Sequence, residues 1–86
     1  MIKVWFDKAW EEYVEWQSLD KKLLKRLNDL LKEIERNPFS GKGKPEPLKG
    51  DRKGFWSRRL DDYHRIVYKI EDGKLHILQC FGHYDD

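Results

Sequence analysis

A single cysteine, Cys80, is all the thiol that this 86-residue chain carries. That excludes an internal disulfide and any small fold stapled by several of them. Cys80 lies in the apolar run HILQCF, which reads as a reduced, buried core thiol and fits a cytoplasmic protein. Long hydrophobic runs are missing too. No window approaches the ~20 apolar residues that a helix needs to cross a bilayer. The opening stretch MIKVWFDKAWEEYVEW is too charged to read as a secretory signal. There is no CxxC, HExxH or Walker motif, and Gly41 and Gly43 lack the Lys-Ser ending and following helix of a phosphate loop. Without repeats or low-complexity tracts, residues 1–86 read as one domain.

His76, Cys80 and His83 resemble a metal cluster only on paper. On an extended strand they would spread over about 23 Å, at about 3.3 Å per residue, too far apart for one tetrahedral site. No cofactor is expected.

Charge and aromatic rings are abundant. Charged residues make up 40% and hydrophobic ones 38%, so the core must be compact and filled by large side chains. Four Trp, four Tyr and four Phe are available for that, each able to bury roughly 150–250 Å². The charge is unevenly placed. Residues 41–69 hold nine Lys/Arg against four acids, a local +5, which leaves −3 for the rest of a chain of net charge +2. A cationic middle third attracts polyanions such as RNA or DNA. Charge alone is equally compatible with a plain solvated surface.

The pattern along the chain predicts β-α-α-β-β-β. Ile2-Lys3-Val4-Trp5 alternates like a strand. Asp7 is placed to N-cap a first helix carrying Trp10, Tyr13, Val14 and Trp16. Asp20 is placed to cap a second, with Leu23, Leu24, Leu27, Leu30, Leu31 and Ile34 as its apolar stripe. Asn37-Pro38 stops it. Residues 39–54 form a loop punctuated by glycine and proline, long enough to be functional. FWSRRL, HRIVYKI and KLHILQCF then read as strands, the last two joined by a two-residue Asp72-Gly73 turn. The fold class is α+β, an antiparallel sheet with two helices packed on one face.

The chemistry that suits these residues is acid–base cleavage of RNA. RNA carries its own nucleophile, the 2′-hydroxyl beside each phosphate. A base must take its proton, an acid must protonate the departing 5′-oxygen, and a cation must stabilise the transition state. Glu46, His83 and Arg65 are able to supply those groups. Taken singly, each has an ordinary reading: a surface acid, a tail histidine, a strand-edge ion pair.

NPFSGKGKPEPLKG, GFWSRRL, HRIVY and the closing His83-Tyr84 together resemble the YoeB branch of the RelE/ParE toxin superfamily, over essentially the whole chain. The resemblance implies a toxin of a type II toxin–antitoxin system. It would act as a ribosome-dependent endoribonuclease on A-site mRNA, with a cognate antitoxin as partner and a homodimer as a possible state. It implies that Glu46 is the general base, its direction limited by Pro45 and Pro47. His83 is implied as the general acid, an imidazole being suited to proton exchange near neutrality. Arg65 is implied as the phosphate clamp, Tyr84 as a stacking or orienting residue, and Lys49 and Arg59 as backbone contacts. Two other functions remain in view: a ParE-like toxin that inhibits gyrase by binding, and a non-catalytic ribosome- or RNA-binding module.

Two features depart from a simple match. Asp85 and Asp86 follow His83-Tyr84; beside the site they would repel phosphate and weaken activity, whereas pointed into solvent they would leave it unaffected. A tight Asp72-Gly73 turn would also pair Arg65 with Cys80, leaving His83 three residues further on, on the opposite face. A bend at Gly82 is expected to correct this.

Overall fold

The computed structural model describes residues 1–83. Tyr84, Asp85 and Asp86, and the roles expected of them, lie outside the described residues. β1 spans Ile2–Trp5 and α1 spans Asp7–Leu19. The N-cap of α1 is Phe6, without a side-chain cap bond, and Asp7 is the first helical residue. This corrects the cap expected at Asp7. The Phe6 amide still donates to Ile77 of the sheet at 3.0 Å, while its carbonyl already accepts from Trp10 at 3.0 Å. Only Phe6 separates strand from helix, and its apolar ring has no acceptor with which to cap. Asp7 instead places a carboxylate at the positive end of the helix dipole.

α2 spans Lys21–Arg36. Asp20 caps it as expected, one carboxylate oxygen accepting from the amides of Lys22 and Leu23 at 3.0 and 3.1 Å. Leu27, Leu30, Leu31 and Ile34 point inward and are buried. Asn37 ends the helix in a non-helical conformation just before Pro38. No helix among the described residues is long and apolar enough to cross a membrane.

The remaining strands are β2 (Glu46–Pro47), β3 (Trp56–Arg59), β4 (Arg65–Glu71) and β5 (Lys74–Gln79). They form one sheet in the order β1-β5-β4-β3-β2. The sheet is mixed, not wholly antiparallel, because β1 pairs parallel with β5. No hairpin joins those two strands, so no turn imposes opposite directions. Two helices and three strands lie between them in sequence. The core lies between the helices and the sheet face bearing Ile66, Tyr68, Leu75 and Ile77, with Ala9, Trp16, Leu60 and Cys80 completing it.

The loop expected over residues 39–54 is more ordered than its composition indicates. Glu46 and Pro47 form an edge strand opposite Ser57 and Trp56, and a single 3-10 turn follows at Gly50–Arg52. Proline is tolerated there because an edge strand can turn its donor-free side to solvent. Such a strand has no periodicity to read, since its two residues become a strand only by pairing with β3.

The hairpin at Asp72-Gly73 forms as expected, with Glu71 opposite Lys74 and left-handed φ of 54° and 69° at the turn. Beyond it the register slips. Tyr68 faces Ile77, but Val67 faces Gln79, leaving Leu78 as an extra residue on β5. Arg65 therefore does not pair with Cys80. Its amide donates to the carbonyl of Gly82 at 2.9 Å. The expected bend is also present, with Gly82 at φ +81°.

Candidate active site

The register of β2, β3 and β4 collects most of the candidate residues. Glu46 faces Ser57, and Ser57 faces Val67. Two residues along the same strands, Arg59 faces Arg65. Side chains two apart on a strand share a face, so Glu46, Arg59 and Arg65 lie on one side of the sheet, opposite the helices. At about 4.8 Å between strands and about 3.3 Å per residue, the Cα atoms of Glu46 and Arg65 stand roughly 12 Å apart. That gap admits a phosphodiester between a carboxylate and a guanidinium. Glu46 is exposed.

Arg59 opposite Arg65 places like charges across a strand pair, an arrangement that costs stability in the absence of an anion. Arg65 is only 8% exposed, and its guanidinium is held by main-chain carbonyls. Nη1 donates to Asp61 at 2.9 Å and His64 at 3.1 Å, and Nη2 donates to Asp62 at 3.4 Å. Carbonyl dipoles fix the fork without cancelling its charge, and these contacts use at most three of its five donors. Asp61 shapes the turn that supplies the carbonyls. Its carboxylate accepts from the amides of Tyr63 at 2.9 Å and His64 at 2.6 Å. Burial alone would raise its pKa, but those two donors together with the nearby His64 and Arg65 side chains outweigh it and hold the carboxyl below its ordinary value.

Lys49 lies three residues past Glu46, exposed, where the chain enters the 3-10 turn. Because β2 and β3 are antiparallel, Arg59 lies on the other side of Glu46 along the strand axis. The acid thus sits between two cations on a track running along the strands.

His83 is exposed, and its ring lies 5.8 Å from that of Tyr63 in the β3–β4 turn. The backbone leading to it is held at both ends. Glu12 accepts from the Cys80 amide at 2.9 Å, and the Trp16 indole donates to the Cys80 carbonyl at 2.9 Å. The Gly82 amide donates to Nδ1 of His64 at 2.7 Å, and the Gly82 carbonyl accepts from Arg65. His83 is thereby brought to the Arg65 end of the site.

Four contributors were not legible as site residues: Glu12, Trp16, Arg58 and His64. Arg58 is wholly buried on the helix side of β3. Nε donates to the Tyr68 hydroxyl at 3.1 Å and Nη1 to the Lys42 carbonyl at 3.0 Å. Nη2 donates to the carbonyls of Ser40, at 2.8 Å, and Asn37. Tyr68 itself donates to Pro38 at 2.6 Å. Together they pin the first half of the basic loop to the sheet. Gly43 completes the attachment by accepting from the Arg59 amide at 2.6 Å. It lies at φ +85°, where an added Cβ would meet Arg58, Arg59 and Leu30 at 3.1–3.2 Å. The only advance signal for Arg58 was a charge at an inward position of a strand.

Two helices packed on one face of a mixed five-stranded sheet form a fold shared with solved bacterial toxins. The structure of the heterotetrameric YoeB–YefM toxin–antitoxin complex from Staphylococcus aureus contains a chain that superposes with a TM-score of 0.90 at 41% identity, covering 98% of each chain. A family model described as "YoeB-like toxin of bacterial type II toxin-antitoxin system" matches residues 5–84, and the chain belongs to that family. Toxin YoeB of Escherichia coli K12 is 48% identical over 84 residues, 98% of this chain and all of that protein. A more distant relative, Endoribonuclease HigB of Proteus vulgaris, is 33% identical over 82 residues, 90% of this chain and 84% of that protein.

Proposed function

We propose that residues 1–86 form a single-domain toxin that cuts mRNA in the ribosomal A site, without a metal, and so stops translation in the cytoplasm. The observation that carries this reading is the shared sheet face of Glu46, Arg59 and Arg65, with the residue before His83 bonded to Arg65. The endoribonuclease activity named for HigB supports the substrate class. Glu46 takes the proton of a 2′-hydroxyl, and the resulting oxygen attacks the adjacent phosphorus. Arg65 stabilises the charge that builds on the non-bridging oxygens. The bond to the 5′-oxygen breaks, and His83 gives that oxygen a proton. The products are a 2′,3′-cyclic phosphate and a 5′-hydroxyl. Lys49 and Arg59 hold the strand, and Tyr84 stacks on or orients the scissile group. The partner is an antitoxin with an acidic segment that folds over the cationic face. The YoeB–YefM complex supports such a pairing.

The test is cleavage on translating ribosomes. A-site cuts should end in 2′,3′-cyclic phosphate and persist in EDTA, with free RNA a poorer substrate. Glu46→Gln and His83→Gln should each slow cutting by about 10²–10⁴-fold. Full activity in either variant, or loss of cutting with EDTA, contradicts the mechanism.

A further inference from the structure

The imidazole of His64 packs among aromatic rings, yet it makes one of the shorter polar contacts in the site. Its Nδ1 lies 2.7 Å from the Gly82 amide nitrogen. A backbone amide only donates, so Nδ1 must accept, and the ring must be the tautomer with its proton on Nε2. The ring is walled by Trp16 edge-on at 4.9 Å, Phe81 at 4.6 Å and Tyr63 at 5.2 Å. Its backbone is fixed as well, the amide donating to Asp61 at 2.6 Å and the carbonyl accepting from Leu60 at 2.9 Å. A ring so enclosed has little freedom to swing, so it acts as a fixed acceptor.

What it fixes is the residue before His83. Gly82 sits at φ +81°, a region that a glycine leaves easily because it is also free to occupy others. The Arg65 amide holds only its carbonyl. Holding the amide as well sets both peptide planes around Gly82, and with them the direction in which residue 83 leaves the sheet. We infer that His64 is a positioning residue, whose Nδ1 grips the Gly82 amide and thereby aims the His83 imidazole at the leaving 5′-oxygen. The inference rests on the acid–base reading of His83 given above.

The experiment pairs two near-isosteric variants. In His64→Asn the side-chain oxygen takes the place of Nδ1, so the bond to Gly82 is kept. In His64→Gln the polar atoms sit one bond further out, nearer Nε2, and the bond is lost. Two quantities are read on the full chain: hydrogen exchange of the Gly82 amide, and kcat and KM for ribosome-bound message. His64→Gln should speed Gly82 exchange and lower kcat by about tenfold or more at unchanged KM, since small misplacements of a reacting group carry large rate costs. His64→Asn should stay close to the parent in both. Nitrogen NMR of the unaltered protein gives a check that needs no variant: Nδ1 should be unprotonated and Nε2 protonated. Protonated Nδ1, unchanged Gly82 exchange in His64→Gln, or an Asn variant as defective as Gln overturns the assignment. Faster exchange with undiminished cutting overturns the catalytic role. If His83→Gln also cuts normally, the error lies in the acid–base reading rather than in the hydrogen bond.

Discussion

The amide of Arg65 donates to the carbonyl of Gly82 at 2.9 Å, so the strand that carries the guanidinium also holds the residue before the imidazole. That contact exists because β5 contains one extra residue opposite the junction of Val67 and Tyr68. A bulge shifts the phase of everything beyond it. It converts an offset that would have sent His83 behind the sheet into one that keeps Gly82, and the start of His83, beside Arg65.

Gly82→Ala tests that geometry with little steric confusion, since an added Cβ meets nothing within 4 Å among the described residues. The cost is then conformational, about 1–2 kcal/mol for an L-residue forced into the left-handed region. Cleavage should fall by more than the stability loss accounts for, while Gly82→Asn, which tolerates that region better, should retain more activity. Denaturant unfolding alongside single-turnover cleavage separates the two effects.

Arg58→Lys should destabilise the protein by about 2–4 kcal/mol, because an ammonium cannot satisfy diverging buried acceptors on four residues. Urea unfolding measures this directly. Residues 37–43 should lose protection from hydrogen exchange before the helices do, and cutting should weaken as the support of Glu46 loosens.

Glu12 gives a pH prediction. Burial raises its carboxyl above the ordinary 4.5, against the opposing donation from the Cys80 amide. The folded state therefore binds that proton more tightly than the unfolded chain does. Its contribution to stability falls as pH rises from about the unfolded value through the raised native one. Glu12→Gln keeps an oxygen for the Cys80 amide but removes the desolvated charge. Stability measured by denaturation from pH 4 to pH 7 should show a smaller decline with pH than the parent, with no loss at pH 7.

Cys80 should be chemically silent. Burial, and then the nearby Glu12 carboxylate, push its thiol up to about 12. Its Sγ faces the Ala9 carbonyl at 3.6 Å in the core. A thiol reagent at pH 8 should label the native protein only at the rate of global unfolding, and label it promptly in denaturant. Prompt native labelling contradicts the packing of β5 against α1.

Local physics made much of this molecule legible. Asp20 before a leucine stripe, Asn37-Pro38 after it, and Asp72-Gly73 between alternating runs each act through neighbours a few residues away. The family's motifs marked Glu46, Arg65 and His83 as a set. What remained hidden depends on partners distant in sequence. Glu46 is a strand residue only because Ser57 lies beside it. Arg58 is tolerable in the core only because carbonyls of residues 37–42 converge on it. His64 gains its acceptor role from Gly82, 18 positions away.

The amino-acid sequence thus determined the helices, the tight hairpin, the cationic middle and the inventory of reactive groups, because propensity, capping and charge operate over short spans of chain. Which groups share a face was decided in three dimensions. Strand order, the parallel edge and a one-residue slip in register arise from pairing choices between remote segments, and each is settled only when the whole core closes around it.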